Sequence, residues 1–407
     1  MKRIIYLLLV LVLLVGCHQP LKKQDSLKMV ITSDIHYFLK DYYKECEWFE
    51  ESMLYGDGKM VTYADEILDA FIKRVIEINP DIVLITGDLS FNGEKGSHEA
   101  LAKRLMSLKQ KDIAVAVIPG NHDVDNIYSK GYGKDDYFNV ENIDASDFQR
   151  IYKNLGYDIA SHQHDDSLSY RIDLNEDYTL LMMDTTCHQL TGKAVDSGGF
   201  LSDSTLSWMK KQLDNIRQNN KIPIVAMHHN LAIHNSMLNQ GFTIKDNENI
   251  SQIFKEHQVP FVLSGHMHCQ NIKEINGIYD IASSSLLDAP LQFGVMTLDD
   301  HHMNYQTESL QISVDANAYF DDVSSHRFDE SFLSIQDEKM REVMKDVIVK
   351  ANRYFITGTM YQHIEEIKKM PGYAYYQKEG EKVSFYKMYL EVMLQETQNH
   401  QKRELTY

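Results

Sequence analysis

The sequence has few cysteines and a deficit of positive charge. Four cysteines occur in 407 residues, and 41 lysines and arginines stand against 59 acidic residues, which gives a formal net charge of −18. Apart from Cys17, the three remaining thiols (Cys46, Cys187 and Cys269) allow at most one disulfide. Because an acidic body repels nucleic acid and anionic lipid at long range, we expect no bulk nucleic-acid binding.

Long hydrophobic runs are also scarce, and the one membrane signal lies at the start of the chain. Lys2 and Arg3 precede an apolar stretch over residues 4–15, which is too short for a permanent transmembrane helix and is typical of a signal peptide. The segment LVGC at 14–17 resembles the lipobox of bacterial lipoproteins, in which the cysteine is lipidated and becomes the new N-terminus. A chance cysteine after a signal peptide is the alternative. The sequence thus predicts a signal peptide over 1–16, lipidation at Cys17, a tether over 17–27, and an extracytoplasmic protein lipid-anchored to the bacterial cell membrane.

Strand-like and helix-like patterns alternate from residue 28 onward, with no internal repeat and no long low-complexity stretch. Such alternation is typical of α/β layers, and we expect one large domain over 28–310. The predicted strands cover 29–32, 82–86, 114–118, 168–174, 178–183, 222–227, 261–263, 278–282 and 293–298, and the predicted helices cover 63–79, 97–110, 205–219 and 250–257.

The sequence changes in character after about residue 310. The segments EKMREVMKDVIVKANRYF and KVSFYKMYLEVML have helical spacing and many methionine and aromatic residues. Stripes of this kind usually form a hydrophobic core rather than a cofactor site. We therefore expect a small helical C-terminal domain or cap over 311–407.

Polar side chains that could bind a metal follow nearly every predicted central strand. Asp34 and His36 hold alternate positions at a strand end, which would point both side chains to the same side. The other groups follow later strands, as Asp88, as Asn121 with His122 and Asp123, as His228 with His229, and as His266 with His268. Any one of them could be a cap, a turn residue or a buried structural histidine, but five such groups at strand ends are hard to explain by structure alone.

The mixture of donor types narrows the kind of site. Carboxylate, imidazole and amide groups together suit manganese, iron or zinc. Seven candidate ligands are too many for one tetrahedral zinc ion and fit a two-metal site with one bridging carboxylate. These seven are Asp34, His36, Asp88, Asn121, His228, His266 and His268.

The ordered series DxH, GD, GNHD, H and GHxH, over about residues 28–300, resembles the calcineurin-like metallophosphoesterase superfamily. The resemblance implies a metallophosphoesterase β-sandwich of two mixed sheets flanked by helices. It also implies two divalent metal ions (Mn, Fe or Zn) bridged by Asp88, with attack by a metal-bound hydroxide. One ion would be held by Asp34, His36, Asp88 and His268, and the other by Asp88, Asn121, His228 and His266.

The same resemblance suggests roles for two more residues of the GNHD segment. His122 would stabilise the transition state or protonate the leaving oxygen. Asp123 would orient His122 or a metal ligand without contacting the metal, or would simply form the turn.

Departures from related branches of the superfamily point to a phosphodiesterase. Phe91 occupies the position of the tyrosine ligand of purple acid phosphatases. The segments TLLMMDTTCHQL and GGFLSDSTLSWMKKQLD resemble class III cyclic nucleotide phosphodiesterases. We therefore expect hydrolysis of small-molecule phosphodiesters, with cyclic nucleotides among the candidates. The alternatives are an extracytoplasmic phosphomonoesterase or nucleotidase, and a non-catalytic lipoprotein that binds metal or a phosphorylated ligand. His122 argues against the last, because binding alone needs no proton donor.

Overall fold

The computed structural model describes residues 20–22, 26–54, 56, 58–186 and 197–407. The predicted signal peptide, Cys17 and Cys187 lie outside the described residues. Cys46 and Cys269 are free and buried. Among the residues that the structure describes, no helix combines the length and the apolar character needed to cross a bilayer.

The described residues form a mixed α/β structure. The strands are β1 (Leu27–Thr32), β2 (Ile82–Ile85), β3 (Ala114–Val117), β4 (Lys130–Tyr132), β5 (Tyr137–Asn139), β6 (His162–Gln163), β7 (Tyr170–Asp173), β8 (Tyr178–Met183), β9 (Ile222–Met227), β10 (Phe261–Ser264), β11 (Asn271–Ile275), β12 (Ile278–Ala282), β13 (Gln292–Asp299), β14 (His302–Ser309) and β15 (Lys402–Thr406). The α-helices are α1 (Phe49–Leu54), α2 (Ala64–Ile78), α3 (Lys95–Lys109), α4 (Ala145–Ile151), α5 (Asp203–Gln218), α6 (Asn247–Glu256), α7 (Ala316–Phe328), α8 (Glu338–Ile356), α9 (Met360–Lys369), α10 (Tyr373–Glu379) and α11 (Ser384–Met393).

Two mixed sheets dominate the fold. The first has the order β15-β14-β13-β1-β2-β3, in which β1, β2 and β3 are parallel and β13 pairs antiparallel with β1. The second has the order β11-β12-β10-β9-β8-β7-β6, with β12, β10, β9 and β8 parallel. This arrangement confirms the predicted fold class of two mixed sheets flanked by helices.

The alternation of side chains along the strands explains how the layers pack. In β9, Ile224 and Ala226 join the large core that also contains residues of the first sheet, whereas Val225 and Met227 join a second core with helices α5 and α6. Successive residues of a strand point to opposite faces, so a strand buried on both faces is apolar throughout. The six residues of β9 are all buried, as this position between two layers requires.

The C-terminal region is helical as expected, with one exception at its end. Met344, Ile348 and Phe355 of α8 form the centre of a separate hydrophobic cluster. The Met and aromatic residues of this region are therefore packing residues, as their spacing indicated. Residues 402–406 were expected to be helical, but they form β15 and pair antiparallel with β14 at the edge of the first sheet.

Candidate metal centre

The candidate ligands lie in loops at the carboxyl ends of parallel strands from both sheets. Asp34 and His36 follow β1, and Asp88 follows β2. The loop with Asn121 follows β3, while β9 and β10 lead into the remaining ligand loops, which carry His228, His266 and His268. In open α/β sheets, bound small molecules and ions commonly lie at this edge.

Several candidate ligands have an unusual backbone conformation. Asp34, His36, Asp88, His266 and His268 all have positive φ angles, between 41° and 69°. Positive φ is uncommon outside glycine, and residues held there concentrate at functional sites. Asp34 and His36 were expected to point to the same side because they alternate at a strand end, and this reason was wrong. β1 ends at Thr32, and the two side chains converge because the loop turns through left-handed conformations.

Two glycines allow these loops to approach each other. Gly87 has φ +100°, and a Cβ atom at this position would lie 2.5 Å from His228 Nδ1. Gly120 packs so closely against Asp88 that a side chain there would overlap the carboxylate. Glycine at both positions lets the loops after β2 and β3 contact each other directly.

The first group of ligand atoms comprises Asp34, His36, Asp88 and His268, whose donor atoms lie within 4.8 Å of one another. The Nε2 atoms of His36 and His268 are 3.1 Å apart. His268 Nε2 is 3.3 Å from Asp34 Oδ1, and His36 Nε2 is 3.6 Å from Asp88 Oδ2. Asp34 Oδ1 is buried and has no hydrogen-bond partner among the described residues. A convergent set of carboxylate and imidazole donors with a buried oxygen of this kind fits a divalent cation.

The second group shares Asp88 with the first and adds His228 and His266. His228 Nε2 lies 3.4 Å from Asp88 Oδ2 and 3.1 Å from Asn121 Oδ1. The same oxygen of Asp88 thus faces His36 of one group and His228 of the other. This is the geometry that a bridging carboxylate requires.

The electrostatics of the centre favour positive charge. Burial by itself would raise the pKa of the Asp88 carboxyl, but the neighbouring charges of His228 and His122 hold that pKa well below its usual range. Burial likewise opposes the charged form of His268, yet the Asp34 carboxylate raises the pKa of His268 to about 10. Asp88 raises the pKa of His228 to about 9 against the same effect of burial. The carboxylates therefore stabilise cationic charge at this point, as a metal site must.

Hydrogen bonds outside the ligand set fix the orientation of two histidine rings. His268 Nδ1 lies 3.0 Å from Asp288 Oδ2, and His228 Nδ1 lies 2.8 Å from the carbonyl oxygen of Thr86. With the Nδ1 proton held by these acceptors, Nε2 is the nitrogen that would give up its proton and offer its lone pair to a bound cation. Sequence reasoning missed Asp288. It lies in the segment SSSLLDAP, outside the histidine motifs, and its contact with His268 indicates its role.

His122 lies beside this cluster with one ring nitrogen already engaged. Its Nδ1 atom is 2.9 Å from the carbonyl oxygen of Phe91 and 3.0 Å from Asn92 Oδ1. The ring makes an edge-on contact with His36 and lines a cavity next to the cluster. Because Nδ1 donates to Phe91, Nε2 is the atom left for a ligand. Burial lowers the pKa of His122, so the neutral ring predominates near neutral pH.

Asp123 is buried and contacts the backbone of the ligand loops. Its carboxylate accepts hydrogen bonds from the backbone nitrogens of Leu89, Ser90 and Gly120, at 2.8–3.1 Å. These contacts join the loop that carries Asp88 to the loop that carries Asn121. Asp123 therefore acts on the ligand loops through their backbone, and its role in orienting His122 or a metal ligand stays a prediction.

The cavity beside the cluster has a volume of about 360 Å³. Asp88, Asn121, His122, His266 and His268 form part of its lining. Helices of the C-terminal region supply a further wall. The sequence suggested a C-terminal cap but did not identify the residues that line the cavity. His229, which follows the ligand His228, has its Nδ1 beside Thr185 and its Nε2 beside the carbonyl of Ser197. Both ring nitrogens of His229 thus have partners within the protein.

Comparison of the sequence with known protein families supports a metal centre of this kind. The sequence model for calcineurin-like phosphoesterase matches residues 27–270, more than half of the chain. The chain belongs to this family. The predicted family resemblance is confirmed, and a second model, for the C-terminal domain of cyclic nucleotide phosphodiesterase, matches residues 300–400.

Curated relatives carry phosphodiesterase names. A 3′,5′-cyclic-nucleotide phosphodiesterase of Nostoc sp. is 27% identical over 220 residues, which cover 53% of this chain and 67% of the relative. A probable cyclic nucleotide phosphodiesterase of Moraxella catarrhalis is 24% identical over 49% of this chain and 62% of its own length. A probable glycerophosphodiester phosphodiesterase of Arcobacter nitrofigilis is 27% identical over 52% of this chain and 67% of its own length. The chain thus spans about two thirds of the length of these relatives.

Among solved structures, a dimetal phosphatase of Danio rerio aligns with 70% of this chain and 96% of its own, with a TM-score of 0.51 and 12% identity. At this identity the likeness concerns the fold alone. Because the chain belongs to the calcineurin-like phosphoesterase family and its relatives are named phosphodiesterases, the protein is a metal-dependent phosphoester hydrolase.

Proposed function

We propose that the protein hydrolyses small-molecule phosphodiesters at a centre of two divalent cations. The observation that carries the proposal is the pair of ligand groups that share Asp88, next to a cavity lined by His122. One cation would be held by Asp34, His36, Asp88 and His268, and the other by Asp88, Asn121, His228 and His266. The mixed donor set suits manganese, iron or zinc.

The cations, when bound, would supply an activated water and would neutralise charge on the phosphoryl oxygens. The chain's own residues perform the remaining steps. The ligand loops orient the phosphoryl group toward His122, and the carboxylates of Asp34 and Asp88 keep the net charge of the centre moderate. Nε2 of His122 is unprotonated in the neutral ring. A bound phosphodiester anion would raise the pKa of the ring, and Nε2 would then carry the proton that the leaving oxygen needs. The Nδ1 bond of His122 to Phe91 keeps the ring in its orientation.

The preference for diesters is supported by the names of the relatives, which are phosphodiesterases of two substrate classes. The test is an assay of the purified protein, loaded with Mn²⁺, on bis(p-nitrophenyl) phosphate and p-nitrophenyl phosphate. Faster hydrolysis of the diester supports the proposal. Faster hydrolysis of the monoester indicates a phosphatase or nucleotidase, and no hydrolysis of either by the metal-loaded protein favours a binding lipoprotein.

We further propose that the protein is exported and anchored at the outer face of the cytoplasmic membrane through lipid on Cys17. The LVGC segment after a basic and apolar N-terminus supports this location. The test is the incorporation of labelled palmitate and the membrane fractionation of wild type and Cys17→Ser in a bacterial host. Label and membrane association that are lost in Cys17→Ser support the anchor, whereas equal fractionation of both proteins contradicts it.

A further inference from the structure

The cavity beside the metal ligands is lined in part by residues from outside the matched phosphoesterase segment. Phe320 and Arg327 of α7, Asn352 and Ile356 of α8, and Tyr389 of α11 line it opposite the ligand loops. The family match to the phosphoesterase ends at residue 270, so these residues belong to the C-terminal region. We call Phe320, Arg327, Asn352 and Tyr389 the C-terminal wall.

The C-terminal wall is held in a fixed position relative to the ligand loops. The backbone nitrogen of Gln270, two residues beyond His268, donates a 2.8 Å hydrogen bond to the carbonyl oxygen of Ile356 in α8. Cys269 packs in the hydrophobic cluster of the C-terminal helices, and Met267 packs against that cluster. The loop that carries His266 and His268 is therefore part of the same packed unit as the wall.

Two residues of the wall, Asn352 and Arg327, offer hydrogen-bond donors at the cavity. The hydroxyl of Tyr389 donates to Asn352 Oδ1 at 2.8 Å, which engages the carbonyl oxygen of this amide. The NH₂ group of Asn352 then remains to donate. Arg327 is exposed at the cavity and forms no ion pair within the described part of the chain. A guanidinium group has only donors and recognises planar acceptor groups well.

The rest of the cavity's lining combines the polar residues Lys59, Ser197 and Asp288 with aromatic and apolar side chains. Phe242 lines it from the phosphoesterase side, and Phe320 and Tyr389 line it from the wall. Aromatic side chains of this kind provide flat surfaces on which a heteroaromatic base stacks. The volume of about 360 Å³ lies near the lower end of the range for small-molecule sites.

We infer that Arg327 and Asn352 are specificity residues that bind the organic group of the phosphodiester, and that this group is a nucleoside base. The inference rests on the proposed phosphodiesterase function and extends it. It favours cyclic nucleotides over glycerophosphodiesters, because glycerol offers neither a ring for the aromatic residues nor a planar acceptor edge for the donors.

Equilibrium binding separates this inference from the question of turnover. We would titrate AMP and inorganic phosphate into the Mn²⁺-loaded protein by calorimetry, for wild type, Arg327→Ala and Asn352→Asp. Asn352→Asp keeps an acceptor for Tyr389 and removes the donors. Arg327→Ala removes a charged donor, and Asn352→Asp places a carboxylate opposite the acceptor edge of the base. We therefore expect each variant to bind AMP at least about tenfold more weakly, with phosphate binding changed by less than about twofold.

The control is Lys339→Ala, which removes one positive charge from an exposed position of α8 outside the cavity. It should bind both ligands as wild type does. Thermal unfolding of all variants identifies any that fail to fold, and Arg327→Ala is exposed enough to be tolerated. Wild-type binding of AMP no tighter than phosphate, or equal losses for both ligands in Arg327→Ala and Asn352→Asp, would overturn the inference.

Kinetics then distinguish failure of this inference from failure of the proposed function. Arg327→Ala should raise the KM for 3′,5′-cyclic AMP about tenfold with kcat retained, while kcat/KM for glycerophosphoethanolamine changes little. A wild type that hydrolyses no diester contradicts the proposed function, whereas the binding of AMP still decides the role of the wall. If wild type hydrolyses both substrates and Arg327→Ala loses the same factor of kcat/KM on each, only the inference is contradicted.

Discussion

The Nε2 atoms of His36 and His268 lie 3.1 Å apart, although the two residues are 232 positions apart in the chain. Asp34 Oδ1 lies 3.3 Å from His268 Nε2 and 3.9 Å from His36 Nε2. His36 follows a strand of the first sheet and His268 follows a strand of the second. The ligand group exists only when the two sheets pack together, so cation binding and folding are linked.

This linkage predicts that divalent cations stabilise the folded protein. Since a ligand that binds only the folded state at about 100 times its Kd adds about 2.7 kcal/mol, Mn²⁺ should raise the Tm of the chelator-treated protein by several degrees. Asp88→Asn should lose most of this shift, because Asp88 belongs to both ligand groups. The measurement is thermal unfolding with and without Mn²⁺, and Asp69→Asn, an exposed carboxylate on α2, is the matched control. An undiminished shift in Asp88→Asn would contradict the shared role of Asp88.

His122→Gln should slow turnover without removing the metals. General acid catalysis contributes roughly 10²–10⁴ in rate, and Nε2 is the ring nitrogen that the Nδ1 hydrogen bond to Phe91 leaves for the substrate. The loss should be large for a diester with an alkoxide leaving group and much smaller for bis(p-nitrophenyl) phosphate, because p-nitrophenolate leaves without a proton. The measurement is kcat on both kinds of substrate, together with the metal content of the purified variant. Equal losses on both substrates would argue for a role in binding or in stabilising the phosphoryl group.

Asp288→Asn should weaken metal binding without contacting the metal. The His268 Nδ1 to Asp288 Oδ2 contact of 3.0 Å fixes the ring, and loss of such a partner lowers metal affinity roughly 10–100-fold. A titration with Mn²⁺, followed by calorimetry, measures the change. Asp299→Asn at an exposed position of β13 is the control. If both variants bind Mn²⁺ like wild type, the contact is merely structural.

Glu94→Gln should stabilise the protein in a pH-dependent way. Burial raises the pKa of Glu94 to about 8, while an unfolded glutamate titrates near about 4.3. The folded state therefore keeps a proton that the unfolded chain releases, and stability falls as pH rises from about 4.3 to about 8. Glutamine resembles the neutral form and does not titrate.

The Tm of Glu94→Gln relative to wild type should therefore increase across that window and level off above about pH 8. The free energy of unfolding should then differ by up to a few kcal/mol. Glu99→Gln, an exposed glutamate of the same helix α3, should show no such trend. Thermal unfolding at several pH values provides the measurement. Parallel curves for Glu94→Gln and wild type would show that Glu94 ionises without cost in the folded state.

Much of the fold could be predicted because its central strands are buried on both faces. Strands such as β2 and β9 are continuous apolar runs bounded by turn residues, and the predicted and observed bounds agree to within one residue. The hairpin of β4 and β5 and the terminal strand β15 were not predicted. Their exposed residues show no apolar alternation, and β15 exists only because the edge of β14 accepts it.

The sequence by itself determined the family and the identity of the candidate ligands, because short ordered motifs at strand ends carry those residue types. It could not determine how the motifs meet. The left-handed turns at Asp34 and His36, the support of His268 by Asp288 and the shared position of Asp88 follow from the packing of loops from two sheets. The tertiary structure alone placed Arg327, Asn352 and Tyr389 at the cavity, because contacts between residues far apart in the chain leave no periodic signal.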